Sequence, residues 1–312
     1  MLSKFRYLIN LIKSRLSYPL HLNLMSMLSF FLGGLRSKIN YDNYRVSHYA
    51  FGILESAKRA KALGIKEITV IEFGVANGRG LMAMALYAAK IEKETGIKIN
   101  VVGFDSGEGM PAAQDYRDHP ELYATGDFPL QNRDKLLSVL PSNTKLVILD
   151  LITSNWTEHI TTPIAFFSMD VDYYSSTNAI LQKLASIRVD LLMPNTLIYF
   201  DDILLPNHNP FQGELLAIEE FNSDNKFRKI VSFSEPLRAT RILKNAQWIS
   251  QMFQLHVLDH TVRNEEYRGK DMSPAILPNK YIKDFPLTIK HRLGNPVASE
   301  QVLLREQEPS KG

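Results

Sequence analysis

The sequence contains no cysteine. That excludes disulfide frameworks, cysteine nucleophiles, and zinc or iron–sulfur sites built on thiolates. It carries little net charge: 36 Lys and Arg stand against 33 Asp and Glu, a balance of +3 over 312 residues. A dedicated nucleic-acid binder needs a far more basic surface, so no nucleic-acid partner is expected. Internal repeats and low-complexity tracts are also missing. No apolar run is fit to span a bilayer, because residues 19–35 are short and interrupted by His21, Asn23 and several serines. No small-residue cleavage site follows a clean apolar core, so a cytoplasmic chain is expected. What is present is ordinary globular material, 45% hydrophobic and 22% charged, which suffices for a sizeable core.

The charge is unevenly placed. Residues 1–60 hold nine Lys and Arg but two Asp and Glu, a local net of +7. The opening run through Lys4, Phe5, Arg6, Leu8 and Ile9 alternates basic and apolar groups near helical spacing. Two readings of this segment stand. One is a helical extension packed on the main domain or on a second copy of the chain in a homo-oligomer. The other is an interfacial helix in peripheral contact with an anionic membrane.

From residue 66 short β-rich runs alternate with helical ones. The strands are expected over 67–73, 97–104, 145–151, 163–169 and 197–200, with two last strands over 227–234 and 239–243. This alternation predicts an α/β, doubly wound Rossmann-like sheet of about seven strands with flanking helices. The expected organisation is an N-terminal helical extension (1–65), a main domain (66–260) and a tail (261–312). In such sheets ligands bind beyond the carboxyl ends of the strands, so the residues there carry the function.

After the first strand comes Glu72-Phe73-Gly74-Val75-Ala76-Asn77-Gly78-Arg79-Gly80. The dinucleotide fingerprint needs glycine where Ala76 stands, and the Lys-Ser/Thr pair of a phosphate loop is missing. An acidic strand end followed by glycines suits a cationic, phosphate-free ligand better. S-adenosylmethionine has a sulfonium, an amino group and no phosphate. The second strand ends in Asp105-Ser106, where a carboxylate can accept from a ribose diol. Glu72, Gly74, Ala76, Gly78, Asp105 and Ser106 are therefore the candidate cofactor residues.

The fourth strand runs into Asp170-Val171-Asp172, and the fifth into Asp201-Asp202. Adjacent strand ends bring such carboxylates together. Two of them about 6 Å apart repel by roughly 3 kcal/mol at an effective dielectric near 20. A hard divalent cation, Mg²⁺ above all, relieves that repulsion. Asp170, Asp201 and Asp202 are the candidate metal ligands. Asp172 is expected to face away if the strand continues through it.

These segments occur in an order that resembles the macrocin O-methyltransferase family of S-adenosylmethionine-dependent enzymes. The residues that carry the resemblance are Glu72-Phe73-Gly74-Val75, Gly103-Phe104-Asp105-Ser106-Gly107-Glu108-Gly109-Met110-Pro111, Met169 to Thr177, and Asp201-Asp202. They lie within residues 66–225. The resemblance implies a Mg²⁺-dependent methyl transfer to a hydroxyl of a sugar or glycosylated metabolite, hence a small-molecule or glycan acceptor. It places the metal on Asp170, Asp201 and Asp202 and the cofactor on Glu72, Gly74 and Asp105. Tyr173 stands where catechol-type relatives carry a catalytic lysine, so proton acceptance falls to Asp170 or to His208, which follows the Asp pair. Gln212-Gly213-Glu214 comes next and is expected near the same cleft. Pro194-Asn195-Thr196 is expected to form the turn before strand five. His256 and His260 are spaced to share a helix face. The alternatives are a metal-dependent glycosyltransferase using Asp170-Val171-Asp172, and a non-catalytic partner subunit of the same fold.

Overall fold

The computed structural model describes residues 15–264, apart from 206 and 207. The basic run at residues 4–9 and the tail beyond 264 lie outside the described residues.

In chain order the principal elements begin with α1 (Leu20–Leu32), α2 (Leu35–Asn40), α3 (Ser47–Ala62), β1 (Glu67–Phe73) and α4 (Arg79–Thr95). There follow β2 (Lys98–Asp105), α5 (Arg133–Val139), β3 (Thr144–Ile148), β4 (Ile164–Met169) and α6 (Tyr174–Ser186). The last are β5 (Leu192–Phe200), α7 (Gly213–Asp224), β6 (Arg228–Ser232), α8 (Ser234–Thr240) and β7 (Met252–Val257). They build one seven-stranded sheet in the order β3-β2-β1-β4-β5-β7-β6, a Rossmann-like architecture. The first five strands are parallel, and β7 runs antiparallel between β5 and β6.

The parallel strands are apolar on both faces, as strands covered on both sides must be. Along β1, Ile68 and Val70 enter one core, with Tyr49, Ile53 and Ala57 of α3 and Leu81, Met84 and Ala88 of α4. Ile71 and Phe73 point the other way, into a core with Ile180, Leu181 and Leu184 of α6 and Ala217 and Phe221 of α7. The period of two in the strand thus assigns its residues to opposite helical layers.

Three expectations are corrected here. Residues 239–243 are not a strand: α8 runs to Thr240, and the seventh strand is Met252–Val257, whose Phe253, Leu255 and Val257 are buried. His256 therefore lies on a strand, opposite Asn195 and Lys229, and His260 lies past the turn that follows, so the two share no helix face. Pro194-Asn195-Thr196 is not a turn before β5 but part of it. Proline is tolerated because the β4–β5 register shifts at this place, between Ile164 and Phe166.

Helix α3 belongs to the sheet's own helical layer. Ten of its residues are buried, and the Ser56 hydroxyl donates to the Ala165 carbonyl of β4 at 2.7 Å. Helix α3, on the N-terminal side of the expected boundary at residue 65, thus packs against β4 on its other side. A buried guanidinium braces this region. Arg241 pairs with Asp42 at 2.8 Å, and its cation lies 4.5 Å from the Trp248 ring centre and 5.2 Å from that of Phe51. Arg241→Lys keeps the charge but loses the planar stacking surface. It is expected to lower stability by about 1–2 kcal/mol, read from the urea midpoint.

Candidate active site

The strand order reverses between β1 and β4, so a crevice opens beyond their carboxyl ends. The two ends are clamped together. The Asp170 N–H donates to the Phe73 carbonyl at 3.0 Å. A Cβ at Gly74 would sit 1.8 Å from the Asp170 carbonyl oxygen, and Gly74 has φ +82°, so no side chain fits there.

The glycine loop is shaped by Asp105. Its Oδ2 accepts from the N–H groups of Val75 and Ala76, each at 2.8 Å, and its Oδ1 accepts from the Gly107 N–H at 2.6 Å. One carboxylate thus pins both the loop after β1 and the loop after β2. Beside it, the Ser106 hydroxyl donates to the Gly109 carbonyl at 3.1 Å.

These groups face a cavity of about 860 Å³. Gly74, Ala76, Asp105 and Ser106 line it, as do Asp170, Asp172, Asp201 and Asp202. Met110, Pro111, Phe128 and Leu205 add an apolar wall. Four of the six expected cofactor residues and the three expected metal carboxylates therefore line one space.

Three expected residues are not among its lining. Glu72 is buried behind the loop, its Oε1 3.0 Å from the Tyr49 hydroxyl, which lies 2.9 Å from Ser168 Oγ. Burial, and then the charge of Asp170, pushes the Glu72 carboxyl well above the usual range. Gly78 precedes α4 and packs against Leu136. His208 stacks on His119, ring centres 4.5 Å apart. Burial, with His119 beside it, lowers the His208 pKa to about 4, which leaves it neutral at pH 7.

The carboxylates converge differently from expectation. Asp170, Asp172 and Asp202 each offer an oxygen, and these oxygens lie within 4.8 Å of one another. Strand β4 stops at Met169, and Asp172 adopts φ +57°, which turns it back toward Asp170 instead of away. Asp201 is engaged by its own strand: the Tyr199 hydroxyl donates to its Oδ1 at 2.9 Å, and the Tyr199 ring stacks on His48 of α3 at 3.9 Å. Glu214 is fully buried, and its Oε2 accepts from the Asp202 N–H at 3.2 Å.

Burial first, and mutual repulsion second, holds Asp170, Asp202 and Glu214 well above the ordinary carboxylate range. Asp172 is raised by the same causes, against hydrogen bonds that lower it. Asp202 Oδ2 and Glu214 Oε1 are buried with no hydrogen-bond partner among the described residues. Orphaned buried oxygens in an all-oxygen donor set fit a hard divalent cation.

The sign of the pH effect follows. A raised native pKa means the metal-free fold holds protons that the unfolded chain has released. Its stabilisation is full below the ordinary carboxylate range and is lost as pH rises through the raised values. A cation bound there would replace those protons. Mg²⁺ at about 100 times its Kd is therefore expected to raise the melting temperature by about 5 °C at pH 8 and far less at pH 5. Equal shifts at both pH values, by scanning fluorimetry, count against the site.

Some site residues escaped the sequence reading. Asp150 lines the cavity, and the signal for it was the rule that carried Asp105: it follows the end of β3. Tyr123 also lines it, from a loop with no periodic signal. Tyr49 and His48 come from a helix read as peripheral.

No family model matches the chain, and no curated protein matches it. Solved structures do. The calicheamicin methyltransferase CalS11 is 23% identical, with a TM-score of 0.43 over 57% of this chain and 72% of that one. The O-methyltransferase NovP is 16% identical, with a TM-score of 0.41 over 56% and 71%. The plantazolicin methyltransferase BamL, solved with SAH, is 11% identical, with a TM-score of 0.33 over 74% and 92%. At these values the likeness leaves function to the site itself.

Proposed function

We propose that the protein is an S-adenosylmethionine-dependent O-methyltransferase assisted by Mg²⁺. The observation that carries this reading is the single cavity lined by the glycine loop with Asp105 on one part and by Asp170, Asp172 and Asp202 on another. The macrocin-type motifs in the sequence support it.

The cofactor, when bound, supplies a methyl group activated on a sulfonium. Gly74 allows close approach to the backbone, and Asp105 keeps the loop amides in place so that binding is not spent on ordering them. Ser106 and the apolar wall at Met110 and Phe128 bound the space left for an acceptor. As the methyl group passed from sulfur to the acceptor oxygen, Asp170 would take up the hydroxyl proton on a carboxylate oxygen. Its carboxylate, ionised when it holds the cation, lies in the same cavity as the glycine loop and so can reach a hydroxyl placed there. The cation supplies electrostatic stabilisation to a hydroxyl that is losing its proton. Asp170, Asp172 and Asp202 would hold it, with Asp201 in reserve on Tyr199. The neutral, stacked His208 is not needed as a base.

The acceptor is a hydroxyl on a sugar or glycosylated metabolite, a reading that rests on the sequence resemblance. Calorimetry tests the whole assignment. S-adenosylmethionine is expected to bind with one-to-one stoichiometry and a UDP-sugar to give no heat. Heat from the UDP-sugar alone would establish the glycosyltransferase reading, and heat from neither would leave a non-catalytic partner subunit.

A further inference from the structure

Helix α1 is built inside out. Its thirteen residues, Leu-His-Leu-Asn-Leu-Met-Ser-Met-Leu-Ser-Phe-Phe-Leu, include no Asp, Glu, Lys or Arg. The residues buried in it are Ser26 and Ser29. Ser26 Oγ bonds to Asn43 Oδ1 at 3.1 Å, Ser29 Oγ lies 2.8 Å from Ser37 Oγ, and the Asn23 amide donates to the Arg15 carbonyl at 2.9 Å. The polar face is thus the one that attaches the helix to the protein.

The apolar face is left to solvent. Leu20, Leu24, Met27, Leu28 and Phe31 follow the i, i+4, i+7, i+8, i+11 spacing of one helical stripe, and Leu32 extends it. Leu20 is 76% exposed, Phe31 72% and Leu32 82%. A continuous exposed apolar stripe on a folded protein marks an interaction surface.

Charge decides the occupant. Residues 1–41 include six Lys and Arg and no Asp or Glu. The first acid, Asp42, is paired to Arg241. Arg36 pairs with Glu94 and Arg15 donates to the Tyr41 carbonyl, but the segment stays net positive, so a two-fold contact would set like charge on like. An anionic bilayer complements it. At about 1.5 Å per residue the helix is roughly 20 Å long, too short to cross a hydrocarbon core of about 30 Å. Among the described residues no helix is long and apolar enough to do so. A short helix with one apolar face and cationic flanks lies in the plane of the interface.

We propose that α1 docks this protein on an anionic phospholipid surface, with the Leu24–Leu28–Phe31 stripe inserted among the acyl chains. The full chain is expected to co-sediment with phosphatidylglycerol vesicles at low salt and weakly with phosphatidylcholine vesicles. Raising the salt should weaken the first binding several-fold. Leu28→Asp/Phe31→Asp, at exposed positions, should reduce it about 100-fold while leaving the far-ultraviolet spectrum and the Mg²⁺ melting shift unchanged. Three outcomes overturn the proposal. One is full-length protein left in solution with anionic vesicles at low salt. Another is a double variant that binds as tightly as the parent. The third is a lipid-free oligomer that the double variant dissociates, which makes a second copy the occupant.

Discussion

Asp170→Asn and Asp172→Asn should each cut methyl transfer by about 10²–10³-fold, and Asp201→Asn by much less. Converging carboxylates set this order. Asp170, Asp172 and Asp202 bring their oxygens within 4.8 Å of one another, whereas Asp201 spends an oxygen on the Tyr199 hydroxyl at 2.9 Å. An asparagine at 170 or 172 presents at most one neutral oxygen, and its amide can turn a donor toward the cation. A loss of about 3–4 kcal/mol in transition-state stabilisation corresponds to the expected rate effect. S-adenosylmethionine affinity should stay within about threefold of the parent, because the Asp170 contacts to the glycine loop are made by its backbone, which asparagine keeps, and Asp105 holds the loop amides unchanged. Excess EDTA should reproduce the pattern in the parent enzyme, and Mg²⁺ should rescue Asp201→Asn better than Asp170→Asn. Single-turnover rates and calorimetry measure the two halves separately. Full activity in EDTA with a competent acceptor removes the cation from the mechanism. An Asp201→Asn variant as inactive as Asp170→Asn returns the metal to the triplet of Asp170, Asp201 and Asp202.

The strand ends were legible because a parallel sheet makes them so. Apolar runs such as Ile68–Phe73 and Ile164–Met169 have to be strands buried on both faces, and the polar residue that ends each run has to emerge at the crevice. Asp105, Asp170 and Asp202 were found that way. Asp172 was misplaced because its direction depends on where β4 stops, and a single residue at φ +57° reverses the alternation on which the expectation rested. Glu72 was expected to hold the cofactor, but its burial against Tyr49 comes from α3, 119 residues from the β4 serine that shares the same hydroxyl. Contacts of that separation leave no local pattern. The last strand was missed for a different reason: β7 inserts between β5 and β6, and that position is set by tertiary pairing on both edges, not by the spacing of His256 and His260.

Asp105→Ala is expected to cost about 3–5 kcal/mol of stability and to weaken S-adenosylmethionine binding at least about 100-fold. A carboxylate has about four lone-pair sites. At Asp105 three of them receive N–H groups, from Val75, Ala76 and Gly107. One site is left for a ribose hydroxyl, so the simple picture of this residue as a bidentate ribose ligand gives way to one in which it chiefly builds the loop. Alanine leaves three amides, the Val75 one buried and those of Ala76 and Gly107 half-buried, without an acceptor, and hydrogen bonds to a charged group are worth about 1.5–3 kcal/mol each before their overlap and the partial exposure are discounted. The loop that should meet the cofactor is then no longer held, and its ordering has to be supplied by binding. Asp105→Asn keeps one acceptor oxygen and the side-chain shape, so it should fall between alanine and the parent in both stability and affinity. Urea unfolding and calorimetry below the melting point of the weaker variant give the two numbers. Parental stability with lost affinity in Asp105→Ala would make the residue a direct ligand contact and nothing more. Parental values of both would show that the glycine loop is held by other means.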